Sequence, residues 1–334
     1  MNTEGQGSPR EASEIHGHVI GLLGPTGVGK TAVAVELARR LRTRVISCDS
    51  MQVYKGFPVL TNHPSEAEGR NLHELVGVVD PGETLSAAAY ADMARPLVDS
   101  AVERSGWAVL AGGSGLYMRA ALAPLAAAGV ADAELRKRLE ERAESVGSGE
   151  LYADLQRLDA EAAKSIDARN VRRVVRALES VLGSGKPWSG RGDLWDPQYY
   201  HPTLVVGLIT DRGSLAEAIE GRTRRMVEKG VADEVRRYRS ERGEEGTRPG
   251  GPGVCSAIGY PEVCAYLQGE ISESAMIERI AAATRKYVRR QVTWLRKVKD
   301  AVMIDVHGRE AAAVAKEILA YTTREASGGE SSKA

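Results

Sequence analysis

The stretch Gly24-Pro25-Thr26-Gly27-Val28-Gly29-Lys30-Thr31 is a complete G-x-x-x-x-G-K-[ST] phosphate-binding loop. An apolar run at 18–23 precedes it and good helix formers at 32–38 follow it, which is the strand-loop-helix context that the motif requires. In such a loop the backbone N–H groups surround phosphate oxygens, Lys30 adds positive charge and the Thr31 hydroxyl can hold Mg2+. The motif therefore predicts that residues 24–31 bind a polyphosphate, with Mg2+ at Thr31.

Short apolar runs alternate with amphipathic stretches of helical length along most of the chain. This alternation is typical of an α/β fold with a mainly parallel sheet covered by helices. We expect the buried strands at 19–23, 45–48, 75–79, 107–111, 204–209 and 302–306.

One block of the chain departs from this alternation. Residues 119–199 show helical patterns only, so we expect an inserted helical domain between the two parts of a P-loop α/β core, 15–118 and 200–324, whose C-terminal helices are basic. The ends at 1–14 and 325–334 are rich in Gly, Ser, Glu and Lys without apolar periodicity, which predicts disordered tails. The glycine-rich polar segment 242–253 is predicted to be a mobile loop.

Composition narrows the class of protein. The chain has 334 residues, 43% hydrophobic and 27% charged, which is ordinary for a globular protein of about two domains. No apolar run approaches the roughly 20 residues of a membrane span, and no apolar signal segment opens the chain, so we expect a cytoplasmic protein without membrane association. We also expect a monomer. Cys48, Cys255 and Cys264 lack the C-x-x-C spacing of zinc or redox sites and are predicted to be reduced, buried thiols.

Positive charge is unevenly distributed although the formal net charge is zero. The segment 284–299 contains basic residues and no acidic one, and two further basic groups lie on stretches with helical patterns. A single basic run is usually a solvated helix face, but three of them beside a phosphate loop favour a nucleic-acid partner. The arginines concerned include Arg172, Arg173, Arg176, Arg222, Arg285 and Arg289.

Polar residues follow two other predicted strands. Asp49 puts a carboxylate at the same sheet edge as the phosphate loop, where ligands of open α/β sheets bind. From position alone it could be a base, a metal ligand or the cap of a following helix. The segment Gly112-Gly113-Ser114-Gly115 forms a second open turn at this edge, where glycines would allow a ligand to approach closely and Ser114 offers a hydroxyl. Asp80, which precedes a proline, is interpreted as structural.

A set of motifs in this chain closely resembles those of the tRNA dimethylallyltransferases, also called tRNA isopentenyltransferases. The resemblance covers about 18–306, and its most specific motif is R-R-Q-x-T-W-x-R at 289–296. The other motifs lie at 24–31, 49–54, 112–117, 172–179, 257–260 and 284–287. The resemblance implies a nucleotide-kinase-like core, an inserted domain that binds the tRNA anticodon arm, and transfer of a dimethylallyl group from dimethylallyl diphosphate to N6 of the adenosine 3′ of the anticodon, in tRNAs reading codons that begin with U.

The same resemblance implies roles for individual residues. Asp49 would be the general base for the N6 amine, while Lys30 and Arg222 would stabilise the departing diphosphate. Ser114 stands where the family usually has Thr and should retain its catalytic role. The target adenine would leave its stack and enter a channel between Asp49 and the turn at 112–117. The residues expected to contact tRNA are Asp49, Ser50, Met51, Gln52, Arg172, Arg173, Arg176, Arg285, Arg289 and Gln291.

Three other functions remain open at this point. An adenylate isopentenyltransferase would use the same core on free AMP, without an anticodon-arm contact. A small-molecule kinase would bind ATP in the loop and use Asp80 as its metal-binding acid. A non-catalytic RNA-binding module would use the loop only as a phosphate anchor.

Overall fold

The computed structural model describes residues 18–124, 133–185, 187–188, 198–299 and 301–328. The chain divides into two compact units, one comprising Met1–Leu122 with Tyr199–Ala334 and the other Ala123–Gln198. The sequence placed the insertion at 119–199. Helix α3 (Gly115–Leu122) is the reason for the later start, because it runs past 118 and belongs to the first unit.

The first unit is built on one six-stranded sheet in which every pairing is parallel, as the alternating pattern predicted. Its strands are β1 (His18–Leu23), β2 (Val45–Ser47), β3 (His73–Glu74), β4 (Trp107–Gly112), β5 (Thr203–Ile209) and β6 (Val302–Asp305). The strand order is β3-β2-β4-β1-β5-β6, so the strand that leads into the phosphate loop lies in the interior of the sheet.

The prediction of a strand at 75–79 is wrong. The structure has only the short β3 at this place, and Leu75 ends it with a φ of 59°, outside the strand region. The following backbone turns back on the segment after β2, where Val79 N–H donates to the Val53 carbonyl at 2.9 Å. The backbone at 77–79 therefore packs against the segment after β2 through hydrogen bonds.

Helices cover both faces of the sheet. Alternate residues of β1 point to opposite faces, with Val19 in one buried cluster and Ile20 and Leu22 in the other, which is the period of two expected for a strand. The remaining helices of this unit are α1 (Lys30–Leu41), α2 (Ala87–Ser105), α8 (Arg212–Glu228), α9 (Val231–Gly246), α10 (Tyr260–Leu267), α11 (Glu273–Leu295) and α12 (Ala311–Gly328).

The second unit consists of helices around its own apolar core. They are α4 (Ala133–Val146), α5 (Ser148–Leu158), α6 (Ala160–Ser165) and α7 (Val171–Ser184). Leu151 and Leu155 of α5 pack with Val174 and Leu178 of α7, and all four are fully buried. This helical content matches the sequence pattern, whereas its role in tRNA binding stays a prediction.

Three further expectations concern single segments. Helix α9 continues through 242–246 with a break at Gly243, so the predicted loop 242–253 is partly helical. Helix α12 covers 325–328 of the expected C-terminal tail, while 1–14 and 329–334 lie outside the described residues. Cys48, Cys255 and Cys264 are free and buried, as predicted.

No helix in the described part of the chain has the length and apolar character to span a membrane.

Candidate active site

The strand register brings the three candidate motifs to one edge of the sheet. Ala111 of β4 pairs with Ser47 of β2 on one side and with Leu22 of β1 on the other, so these three strands end level with one another. The segments that leave them are the phosphate loop, the Asp49 segment and the glycine-rich turn at 112–115. The juxtaposition expected for parallel strands is therefore present.

The phosphate loop has the conformation that its glycines allow. Gly27 and Gly29 have φ values of 91° and 92°, in the left-handed region that favours glycine. The Lys30 ammonium group donates hydrogen bonds to the carbonyls of Gly24 at 2.9 Å and Pro25 at 2.8 Å. Burial lowers the pKa of Lys30 to about 8; Asp49 opposes this shift and the Arg222 charge adds to it.

Two cavities meet beside this loop. The large cavity, of about 350 Å³, is lined by the loop residues Thr26 to Thr31 except Val28, by the segment after β2 and by one face of α8. The small cavity, of about 190 Å³, has a mostly apolar lining that includes Leu60 and Ile280. Four residues line both cavities and define their junction: Thr26, Asp49, Arg222 and Met226.

Asp49 lies at this junction with its two oxygens in different situations. Its Oδ1 accepts hydrogen bonds from the backbone N–H groups of Met51 at 2.9 Å and Gln52 at 3.3 Å. Residues 50–52 form a turn, so Asp49 caps a turn and not a helix. Its Oδ2 accepts no hydrogen bond from the part of the chain that the structure describes, which leaves one carboxylate oxygen available to a ligand.

Buried hydrogen bonds hold the segment that carries Asp49. The Tyr90 hydroxyl, from α2, donates to the Ser47 carbonyl at 2.8 Å and lies 3.0 Å from the Cys48 sulfur. Burial raises the pKa of the Cys48 thiol to about 12, so this group stays protonated and unreactive. Asp49 is therefore held on a rigid strand end.

The glycines of the 112–115 turn lie close to protein groups, and Gly112 also lines the large cavity. A Cβ placed on Gly112 would lie 2.1 Å from the Cys48 carbonyl oxygen, and one on Gly115 would lie 2.0 Å from the Trp294 ring. Ser114 lines neither cavity; its Oγ accepts a weak hydrogen bond from the Tyr117 N–H at 3.4 Å at the start of α3. The structure thus shows close packing at Gly112 and Gly115, while the approach of a ligand to this turn stays a prediction.

Gln291 of α11 joins two of these segments. Its side-chain oxygen accepts from the Thr26 N–H at 2.9 Å and its amide nitrogen donates to the Gly113 carbonyl at 3.1 Å. The side chain is only 7% exposed. The sequence predicted that Gln291 contacts tRNA, but in this structure its amide is directed into the protein, where it fixes the phosphate loop against the turn.

The other residues expected to contact tRNA fall into two groups by position. Ser50 and Met51 line the small cavity, and Gln52 lines the large one while its amide bonds to Ser47 and Asn62. The remaining arginines lie on helices away from both cavity linings: Arg172 and Arg173 are exposed on α7, Arg176 pairs with Glu179 at 2.9 Å, Arg285 pairs with Glu220 at 3.9 Å, and Arg289 is exposed.

Several residues that line the cavities were not predicted as site residues, although the sequence placed Arg225 in a basic group and Tyr287 in a motif. Arg225, on α8, and Lys229, at its C-terminal cap, follow Arg222 at three- and seven-residue spacing, and this helical period is the signal that could have revealed them. Tyr287 lines the small cavity, and burial raises its pKa to about 12. His63 lines the large cavity with a buried Nε2 that has no hydrogen-bond partner, and burial lowers its pKa to about 4, so the ring is neutral at pH 7.

Asp80 is separate from both cavities. Its carboxylate binds the Arg242 guanidinium at 2.6 and 2.8 Å and accepts a hydrogen bond from the Gly82 N–H at 2.9 Å. The Arg242 guanidinium and the Gly82 bond hold the pKa of this carboxyl below its usual value. Asp80 is therefore structural, which removes the metal-binding acid that a kinase mechanism needed.

The oxygen donors of the large cavity suit Mg2+. The described residues contain no group of three or more His, Cys, Asp or Glu side chains arranged to hold a metal. Mg2+ in phosphate-binding enzymes commonly takes one or two protein oxygens together with substrate phosphates and water. The Thr31 hydroxyl lines the large cavity, so it can supply one such oxygen.

The sequence matches the model of a protein family and is similar to several known proteins. Residues 52–298 match the family described as IPP transferase. A tRNA dimethylallyltransferase from Bifidobacterium animalis subsp. lactis is 36% identical over 282 residues, covering 83% of this chain and 79% of the relative. One from Shouchella clausii is 35% identical over 298 residues, covering 88% of this chain and 93% of the relative.

The fold is similar to solved structures as well. The full-length tRNA isopentenylpyrophosphate transferase from Bacillus halodurans superposes with a TM-score of 0.65 at 32% identity, covering 92% of this chain and 96% of that one. A eukaryotic dimethylallyltransferase acting on tRNA superposes with a TM-score of 0.75 at 24% identity, covering 92% of this chain and 77% of that one, which shows a shared fold.

Proposed function

The chain belongs to the IPP transferase family, and from this we propose that it is a tRNA dimethylallyltransferase. It transfers the dimethylallyl group of dimethylallyl diphosphate to N6 of the adenosine 3′ of the anticodon in tRNAs reading codons that begin with U. Pyrophosphate is the second product. Cytoplasmic location and a monomeric state stay predictions.

The observation that carries this proposal is the position of Asp49 and Arg222 at the junction of the two cavities. A carboxylate oxygen without a hydrogen bond there can accept a proton, and a cation beside it can stabilise a leaving anion. Alkylation of an amine by an allylic diphosphate needs both groups at one point.

The reaction then has a simple charge balance. As the C–O bond to the diphosphate breaks, negative charge grows on the leaving oxygen, and Lys30, Arg222 and the loop N–H groups stabilise it. The N6 lone pair forms the new C–N bond, and Asp49 removes the proton from the positively charged nitrogen. Leu60 and Ile280 of the small cavity give this junction an apolar side.

The residues of the phosphate loop would also hold a Mg2+ ion. The Thr31 hydroxyl would hold the ion in the large cavity. Bound there, it would supply charge neutralisation to the diphosphate oxygens.

The basic residues of α11 and of the helical unit support tRNA as the acceptor. Arg289 on α11 and Arg172 and Arg173 on α7 are exposed and make no ion pair with any described residue, so they can bind phosphates. Arg176 and Arg285 are paired with Glu179 and Glu220, and would have to exchange these partners to bind RNA.

One incubation series tests the proposal. The protein is mixed with dimethylallyl diphosphate and Mg2+, and with either a tRNA that reads a U-starting codon or AMP, and a parallel mixture contains ATP. Ribonuclease fragments and nucleosides are then analysed by mass spectrometry. Dimethylallyl adenosine should appear at the position 3′ of the anticodon. Modification of AMP alone would instead identify an adenylate isopentenyltransferase, and phosphate transfer from ATP would identify a kinase.

A further inference from the structure

Two cations of the large cavity have no part in the chemistry described above. Lys30 and Arg222 act on the leaving group at the loop and the junction, whereas Arg225 and Lys229 line the large cavity only. On a helix, residues at positions i, i+3 and i+7 share one face, so Arg222 and Arg225 of α8 form a row with Lys229, the residue that caps the C-terminus of this helix.

The start of this row lies against the phosphate loop. A Cβ placed on Gly27 of the loop would lie 3.2 Å from the Cβ of Ala218, one turn before Arg222. Helix α8 thus passes the loop at Ala218, reaches the junction at Arg222, and continues along the wall of the large cavity through Arg225 to Lys229.

The Arg225 side chain points back along this face toward the loop. A Cβ on Gly221 would lie 3.2 Å from Arg225 Nη1, so the guanidinium lies over Gly221, on the turn between Ala218 and its own Cα. Long side chains of helices lean toward the helix N-terminus, which explains the direction. The absence of a side chain at Gly221 gives this group its space.

Arg225 and Lys229 make no ion pair with a described residue of the large cavity. The acidic side chains lining it are Asp49, at the junction, and Glu68, whose Oε2 accepts from the Ser65 N–H at 2.9 Å and hydroxyl at 2.7 Å. These hydrogen bonds and, at longer range, the charges of Lys229 and Arg225 lower the pKa of Glu68, so its carboxylate offsets part of their charge. The cations lining the cavity, Lys30, Arg222, Arg225 and Lys229, still outnumber its two carboxylates. The wall formed by α8 therefore carries an excess of positive charge.

We propose that Arg225 and Lys229 bind the phosphate that lies farther from the allylic carbon, both in dimethylallyl diphosphate and in the pyrophosphate product. This assignment rests on the proposed function for the identity of the donor. Because these two residues are outside the junction, they set the affinity for the donor and product and have little effect on bond breaking. They are positioning residues for the diphosphate, and Arg222 remains the group at the reacting atoms.

Arg224 provides a matched control on the same helix. It has the same charge and lies next to Arg225, but it lines neither cavity, its side chain is 66% exposed, and it pairs with Glu220 at 3.8 Å. Removing it changes the net charge as Arg225→Ala does, so a general field effect would appear equally in both variants.

The test is calorimetric titration of inorganic pyrophosphate with Mg2+ into the full chain and its variants. Arg225→Ala and Lys229→Ala should each raise the Kd for pyrophosphate about tenfold, the loss expected for one charge-assisted contact. Arg224→Ala should change it less than twofold, and Arg225→Lys should recover part of the loss. In steady-state assays the KM for dimethylallyl diphosphate should rise while kcat stays within about twofold.

Three outcomes would overturn the assignment. They are an unchanged Kd in both alanine variants, an equal change in Arg224→Ala, and a rise confined to the KM for tRNA, which would place the two side chains on an RNA phosphate. Because pyrophosphate binding is measured without tRNA, weaker binding in a protein that shows no transfer would contradict the proposed function and leave this anion site in place.

Discussion

The side-chain oxygen of Gln291, in helix α11, accepts a hydrogen bond from the backbone N–H of Thr26 in the phosphate loop at 2.9 Å. The same side chain donates to the Gly113 carbonyl at 3.1 Å. One amide thus sets the distance between the phosphate loop and the turn after β4. It belongs to the helix that carries Arg289, so the donor site and the expected RNA-binding helix share a fixed connection.

Replacement of Gln291 by Ala should damage both stability and catalysis. It leaves the Thr26 N–H and the Gly113 carbonyl without their side-chain partners, a loss of about 1–3 kcal/mol. The midpoint of thermal unfolding should fall by roughly 2–6 °C, and kcat/KM for dimethylallyl diphosphate should fall at least tenfold. Thr293→Ala is the control, since that exposed hydroxyl bonds only to Arg289 of its own helix. Equal behaviour of the two variants would argue against the connection.

Asp49→Asn tests the proton-accepting role of this side chain apart from its role in capping the turn. Asn keeps an oxygen for the Met51 and Gln52 N–H groups but cannot accept the proton from N6. We expect kcat to fall by about 10²–10⁴, while the affinities for tRNA and pyrophosphate are not weakened. Asp49→Ala removes the cap as well and should also lower the unfolding midpoint. Product formation at the normal rate by Asp49→Asn would exclude the carboxylate as base.

The pH dependence of donor binding should reflect Lys30. Because its pKa is lowered to about 8 by burial, the ammonium charge is lost from the free protein as the pH rises above that value. The KM for dimethylallyl diphosphate should therefore increase between pH 7.5 and pH 9. Lys30→Met should have a high KM throughout and no such increase; a wild-type KM that stays flat over this range would show that Lys30 remains charged.

The lowered pKa of Lys30 also affects stability. Rising pH weakens donor binding but increases the contribution of Lys30 to the free energy of unfolding. The folded pKa of Lys30 lies below the value of 10.5 for an unperturbed lysine, so between pH 8 and 10.5 the unfolded chain binds more protons at this position. The contribution of Lys30 to the free energy of unfolding thus rises with pH in this window. Comparing urea unfolding of wild type and Lys30→Met at pH 8 and pH 10 measures this difference.

Gly115→Ala tests the packing of the turn after β4. The new methyl group would lie 2.0 Å from the Trp294 ring, so either the turn or the ring must move. We expect a loss of about 1–3 kcal/mol in unfolding free energy, measured by denaturant titration. Trp294→Leu in the same chain should recover part of it. Gly149→Ala, a helical position with nothing within 4 Å, is the control and should not destabilise.

The sequence predicted the parts of the site that depend on local pattern. The phosphate loop and Asp49 each follow a buried strand, and parallel strands place their ends at one edge, so their meeting was accessible from the sequence. The Gln291 contact was not, because it joins residues 265 positions apart through side-chain geometry. The close approach of Cys48 to Gly112 and of Trp294 to Gly115 was not accessible either, because a sequence does not show which group approaches a glycine.

The position of β5 in the sheet also affects how the chain folds during synthesis. β1 lies between β4 and β5, yet β5 begins only at Thr203, after the whole helical unit has left the ribosome. Until then, one edge of β1 has no partner, while the helical unit already has all the residues of its own core. We therefore expect the helical unit to fold first on the nascent chain, and a chain that stops before 203 to expose an open β-edge and to aggregate.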